Sequence, residues 1–145
     1  MATFKLTIAD PKSGKAYQRE VKDSAAKQFI GLNIGESVKG DGFGLDGYEL
    51  MIAGGSDYCG FPMRKGILGQ RKKITILGGV GFKGAAEKGI KKSVTVCGHK
   101  IHDKISQINL KITKEGAKKI SDILGAKEEG KQEKARDTTK EEKKE

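Results

Sequence analysis

The chain of 145 residues has no tryptophan, two prolines, two cysteines and a small aromatic complement of three tyrosines and five phenylalanines. With so few rings, any core must be built mainly from aliphatic side chains. Two isolated cysteines, Cys59 and Cys97, do not form a disulfide framework and suit a reducing compartment. No apolar run approaches the roughly 20 residues that cross a bilayer, and residues 1–10 alternate polar and apolar types where a signal peptide would be continuously apolar. The sequence therefore predicts a cytoplasmic protein with no membrane partner. Clustered carboxylate pairs of the kind used in acid–base catalysis are also missing. The expectation is a non-enzymatic chain with no small-molecule substrate, no cofactor and no metal.

What the chain has in excess is glycine, 21 residues, and positive charge, a formal +10 at pH 7. The charge is unevenly placed. Residues 126–145 carry seven cations and seven anions and are neutral. Residues 64–104 carry eleven cations, Arg64, Lys65, Arg71, Lys72, Lys73, Lys83, Lys88, Lys91, Lys92, Lys100 and Lys104, against Glu87 and Asp103, so nine of the ten excess charges lie there. Like charges packed on one stretch repel, and a polyanion relieves the repulsion while releasing condensed counterions. Glycines such as Gly66, Gly69, Gly78, Gly81 and Gly98 alternate with these cations and allow backbone to approach phosphates closely. RNA is the predicted partner, and Tyr58, Phe61 and Phe82 are candidates to stack on an unpaired base.

Two chemical patterns fail on their context. Gly79-Val80-Gly81-Phe82-Lys83-Gly84 spells G-x-G-x-x-G after a strand, but Gly42 to Gly47 spells it too, and neither lies in a βαβ unit. Cys97, His99 and His102 fall within six residues, yet an extended strand there would put the two histidines on opposite faces, which does not suit a zinc knuckle.

Hydrophobic periodicity predicts an all-β body. Phe4, Leu6 and Ile8 alternate with polar residues, Asp10 to Gly14 reads as a turn, and residues 15–21 return as a hairpin partner. Ser24 is placed to cap a short helix that ends at Gly31. Residues 31–47, with six glycines, read as loop. Further alternation marks strands at Tyr48-Leu50-Ile52, Ile74-Ile76, Val94-Val96 and Ile108-Leu110-Ile112. About six short strands between glycine turns predict a small barrel or sandwich. Ile120, Ile123 and Leu124 stand at i, i+3 and i+4, the pattern of a short helix laying an apolar stripe on that body. No apolar residue larger than alanine follows residue 125. Residues 1–125 are therefore expected to form one domain and residues 126–145 a charged tail, disordered when free and helical when bound.

One run carries more information than any of these. After a strand at Leu50 to Ala53 come Gly54, Gly55, Asp57, Gly60, Phe61, Pro62 and Met63 in fixed spacing, followed by Arg64 and Lys65. Read physically, adjacent glycines supply a turn, Asp57 can accept from its amides, and Pro62 makes Phe61 extended. The run serves either sheet geometry or direct RNA contact. It resembles the signature of the archaeal and eukaryotic small-subunit ribosomal protein six family over residues 1–125. That resemblance implies a small glycine-rich β-barrel that binds ribosomal RNA of the small subunit, with neighbouring ribosomal proteins as further partners and the ribosome in the cytoplasm as its location. It implies RNA contact for Arg64 and Lys65, and for Lys91 and Lys92, which lead into a Ser93-Val94 strand. Family members often place several arginines before that strand where this chain has Ala85, Ala86 and Glu87. The eukaryotic C-terminal phosphorylated serine cluster is not carried over, since no serine follows Ser121. An alternative is an RNA-binding barrel that acts off the ribosome in translation regulation.

Overall fold

A computed structural model of the chain describes residues 3–83, 89–116, 120 and 123. Lys88, the charged tail and most of the stretch expected as a terminal helix lie outside the described residues. The fold is all-β. Among the described residues, strands β1 (Thr3–Ala9), β2 (Ala16–Lys22), β3 (Ser37–Lys39), β4 (Glu49–Asp57), β5 (Arg71–Ile76), β6 (Lys92–Cys97) and β7 (Ile105–Lys114) are accompanied by a short helix, α1 (Asp23–Lys27), and a 3-10 turn at Gly40–Phe43. Among the described residues no helix is long and apolar enough to cross a membrane.

Five strands form one sheet in the order β2-β1-β7-β4-β3, and β5 pairs with β6 in a separate antiparallel hairpin. The alternation read from the sequence sets the faces. Phe4, Leu6 and Ile8 of β1, Leu50 and Ile52 of β4, and Ile108, Leu110 and Ile112 of β7 are buried together with Phe29, Phe43 and Leu45 from the intervening loops. The Phe29 and Phe43 rings meet at 5.5 Å. Ile120 is buried and Ile123 packs against the same cluster, and both are helical. β1 lies parallel to β7, joining residues about a hundred positions apart.

The structure corrects three details. Residues 31–47 are not all loop: Ser37–Lys39 is a strand that pairs with β4, too short and with too few apolar residues to show a period. α1 begins a residue earlier than Ser24 and has Lys22 as its N-cap, without a side-chain cap bond. His99 and His102 follow the end of β6, outside any strand, so strand alternation does not govern them.

Candidate nucleic-acid interface

The glycine-aspartate-proline run joins the sheet to the hairpin. β4 carries bulges around Ala53 and Asp57 where its pairing with β7 shifts register. Between them Gly55 passes so close to β7 that a Cβ there would collide with the Gln107 carbonyl and press on the Met63 sulfur, so only glycine fits. The Asp57 amide donates to the Phe61 carbonyl at 2.9 Å, and Gly60, at φ +80°, donates to the Asp57 carbonyl at 2.8 Å. That tight turn sends the chain back as a short extended piece. The Met63 amide donates to Gly55 of β4, the Cys97 amide of β6 donates to Pro62, and the Arg64 amide donates to Cys97. Pro62 has no amide to donate, so it serves here only through its carbonyl. Gly54, Gly55, Asp57, Gly60, Phe61, Pro62 and Met63 are thus all built into the junction.

Asp57 is 3 % exposed, the one buried carboxylate among the described residues. One oxygen accepts from the Tyr58 amide at 2.6 Å and the other binds the Arg71 guanidinium, with the Cys97 thiol 3.5 Å away. Burial works to raise the Asp57 carboxyl, but the bonds from Arg71 and the Tyr58 amide outweigh it and hold it below its ordinary range. The partner guanidinium is held above its ordinary value, first through its bond to Asp57. Burial pushes the Cys97 thiol up to about 11, with the Asp57 charge adding to it, so it is a neutral core residue at pH 7. Arg71 also lies over the Tyr58 and Phe61 rings at 5.3 and 4.9 Å.

Arg64 is likewise turned inward. Its guanidinium donates to the Val80 carbonyl at 2.8 Å and to Gly78 at 3.4 Å, pinning the loop after β5. Gly81 of that loop, at φ +92°, packs on Val94, Val96 and Pro62. The G-x-G run therefore covers a small apolar cluster on the hairpin. Lys92 follows the same logic: its ammonium reaches the Lys83 carbonyl at 3.2 Å and sits 5.3 Å from the Phe82 ring centroid.

Of the eleven cations singled out in the sequence, Arg64, Arg71 and Lys92 make contacts within the protein, and Lys88 lies outside the described residues. The remaining seven, Lys65, Lys72, Lys73, Lys83, Lys91, Lys100 and Lys104, are exposed and make no side-chain hydrogen bond or ion pair among the described residues. The cross-strand register puts Lys73 on one hairpin face with Thr75, Ser93 and Thr95, and Lys72 on the other with Val96. The hydroxyl face was missed in the sequence reading, although the alternation of β6 would have revealed it. Within residues 97–102, Cys97 faces Asp57, and the His99 ring bonds the Ile67 carbonyl at 2.7 Å. Among the described residues no three potential metal ligands cluster.

These features define a class: an all-β domain whose larger sheet is joined through a glycine-proline turn to a cationic hairpin with free lysines. The model of the family Ribosomal protein S6e matches residues 4–125, and the chain belongs to that family. It is similar to small ribosomal subunit protein eS6 of Halobacterium salinarum, 42% identical over 127 residues that span 87% of this chain and 96% of the relative. The same-named proteins of Methanococcoides burtonii, 43% identical over 86% of this chain and 92% of the relative, and Methanosphaera stadtmanae, 41% identical over 90% and 98%, are similar to it as well.

Proposed function

We propose that the chain is a structural constituent of the small ribosomal subunit and binds ribosomal RNA through the cations of residues 64–104. The relatives are small-subunit ribosomal proteins by name, and on that basis the chain works in the cytoplasm, in the ribosome, beside other ribosomal proteins. One observation carries the RNA reading: the fold turns Arg64 and Arg71 inward to build the hairpin, while eight exposed lysines on the same stretch, Lys92 among them with only a carbonyl and a ring contact, make no ion pair among the described residues. Cations kept unpaired on a net-basic domain are the means by which a protein neutralises phosphates. Lys72, Lys73, Lys83, Lys91, Lys92 and Lys100 supply the contacts, Lys65 adds one beside the junction, and Lys88 joins them on sequence grounds. Tyr58, 64% exposed at the turn, offers a ring to an unpaired base.

The experiment is a salt titration of binding to small-subunit ribosomal RNA, with Lys91→Ala/Lys92→Ala beside the parent. Loss of two phosphate contacts lowers the slope of log K against log salt by about 1.5, with the thermal midpoint retained. An unchanged slope removes these residues from the interface. Fractionation of a tagged chain from cells separates the alternative: recovery away from small subunits at high salt would support a role off the ribosome.

A further inference from the structure

The outer face of the five-stranded sheet is a second surface of different chemistry. Register aligns Gln18, Thr7, Asn109 and Gly54 in one row across β2, β1, β7 and β4, and Glu20, Lys5, Gln107 and Ser56 in the next. Apart from Met51, which pairs with Lys111 on this face, the large apolar side chains of these strands point to the other face, and the two rows are polar and half-buried to exposed. The Gln107 amide donates to the Thr7 hydroxyl at 3.2 Å and to the Asn109 carbonyl oxygen at 2.8 Å. That arrangement leaves two amide hydrogens of Asn109, the Thr7 hydroxyl hydrogen and the Gln107 carbonyl oxygen without partners among the described residues. They lie along a groove of about 520 Å³ that runs from Ala53 to the β1–β2 turn at Pro11 and Lys15.

We propose that this face docks the minor groove of a double-helical RNA segment. The inference rests on the RNA-binding reading above and adds a second site to it. An A-form minor groove is wide and shallow, lined with 2′-hydroxyls that both donate and accept, and bordered by two phosphate strands. The sheet presents the complement: uncharged donors and acceptors at the centre, small Ala9, Ala53 and Gly54 that permit close approach, and exposed Lys5, Lys15 and Lys111 around them. The nearby carboxylates do not oppose this arrangement strongly. Asp10 is held by the Lys12 amide and the Ser13 hydroxyl, and Glu20 lies opposite Lys5. A peptide strand is a poor fit, since strand addition needs a free sheet edge, and β1, β7 and β4 are interior strands. A partner helix would find no apolar anchor on these two rows.

The test uses the full chain and a structured fragment of small-subunit ribosomal RNA. Thr7→Val/Asn109→Ala removes the donors, and Ala53→Tyr blocks the groove from an exposed bulge without touching the network. Each should weaken binding about tenfold, the worth of one or two hydrogen bonds, with the salt slope unchanged because no phosphate contact is lost. Replacing 2′-hydroxyls by hydrogen in the protected helix should cost the parent the same factor and the variants nothing more. Affinities of both variants within twofold of the parent would overturn the inference. So would crosslinking of this face to a protein neighbour in assembled subunits. Indifference to these variants with a slope that still responds to Lys91 and Lys92 would sink only the groove; absence of any RNA binding would sink both.

Discussion

The five-stranded sheet and the β5–β6 hairpin are both antiparallel at their outer strands, yet they meet solvent in opposite ways. In the sheet, β1, β4 and β7 bury alternate residues in one shared cluster. In the hairpin, Arg71, Lys72 and Lys73 begin β5 with three consecutive exposed cations, and only Ile76, Val96 and Cys97 are buried. Burial of apolar area, the dominant stabilising term, is therefore concentrated in the sheet. The hairpin is held instead by directed contacts: the Asp57–Arg71 pair, the Arg64 bonds to Gly78 and Val80, and the backbone bonds of Pro62 to Arg64. A binding element that must keep its cations in water cannot also build a large core, so the five-stranded sheet provides the stability and residues 64–104 provide nine of the ten excess charges.

The largest effect that separates the two regions should come from the core. Leu50→Ala removes a fully buried side chain between β3 and β7 and should cost about 3 kcal/mol in urea unfolding. Ile74→Ala on the half-buried hairpin face should cost roughly a third of that, since only part of its area leaves water. Equal losses would mean that the hairpin shares the core and would break the comparison. Next comes the junction, where neighbouring glycines provide an internal control. Gly55→Ala should destabilise by about 2 kcal/mol through its clash with Gln107, whereas a Cβ at Gly54 meets nothing within 4 Å and should be nearly neutral.

Much of this division was legible in the sequence. Alternation located β1, β4 and β7 because their apolar residues face one shared core, and in the glycine-aspartate-proline run Gly55, Asp57, Gly60 and Pro62 each have a geometric task at the junction. Other features depend on partners far away in the chain. The parallel pairing of β1 with β7 and the hydrogen bond from Gln107 to Thr7 leave no local trace. Asp57 and Arg71 were each singled out, one as a turn residue and one as an RNA contact, but their pairing spans fourteen residues and a change of sheet. The same holds for Arg64: sequence marks a cation and cannot say whether carbonyls of a returning loop will claim it.

A smaller and pH-dependent effect tests that ion pair. Asp57→Asn keeps the acceptor for the Tyr58 amide and removes the charge facing Arg71, at roughly 1.5 kcal/mol for a charge-assisted bond whose cation still reaches water. Because the native carboxyl lies below the ordinary 3.8, its contribution is fully present above that value and is lost as pH falls through the native one. The gap between parent and variant should hold constant from pH 7 to 5 and close below about 3.8 in denaturant melts. A gap that widens on acidification would reverse the assigned sign.

The smallest expected effect has the opposite direction. Lys91 and Lys92 contribute no buried apolar area, and the one internal bond, from Lys92 to the Lys83 carbonyl, is exposed. Against it stands the mutual repulsion of cations on a stretch with nine excess positive charges. Replacing both by alanine should leave stability within about 0.5 kcal/mol, with a slight gain at low ionic strength that disappears as salt screens the repulsion. The same variant should lose RNA affinity most strongly at low salt. Stability and binding responding to salt in opposite senses in one protein would show that the hairpin's charge is kept for a polyanion at the fold's own expense. A clear loss of stability at every salt concentration would instead make these lysines part of the hairpin's structure.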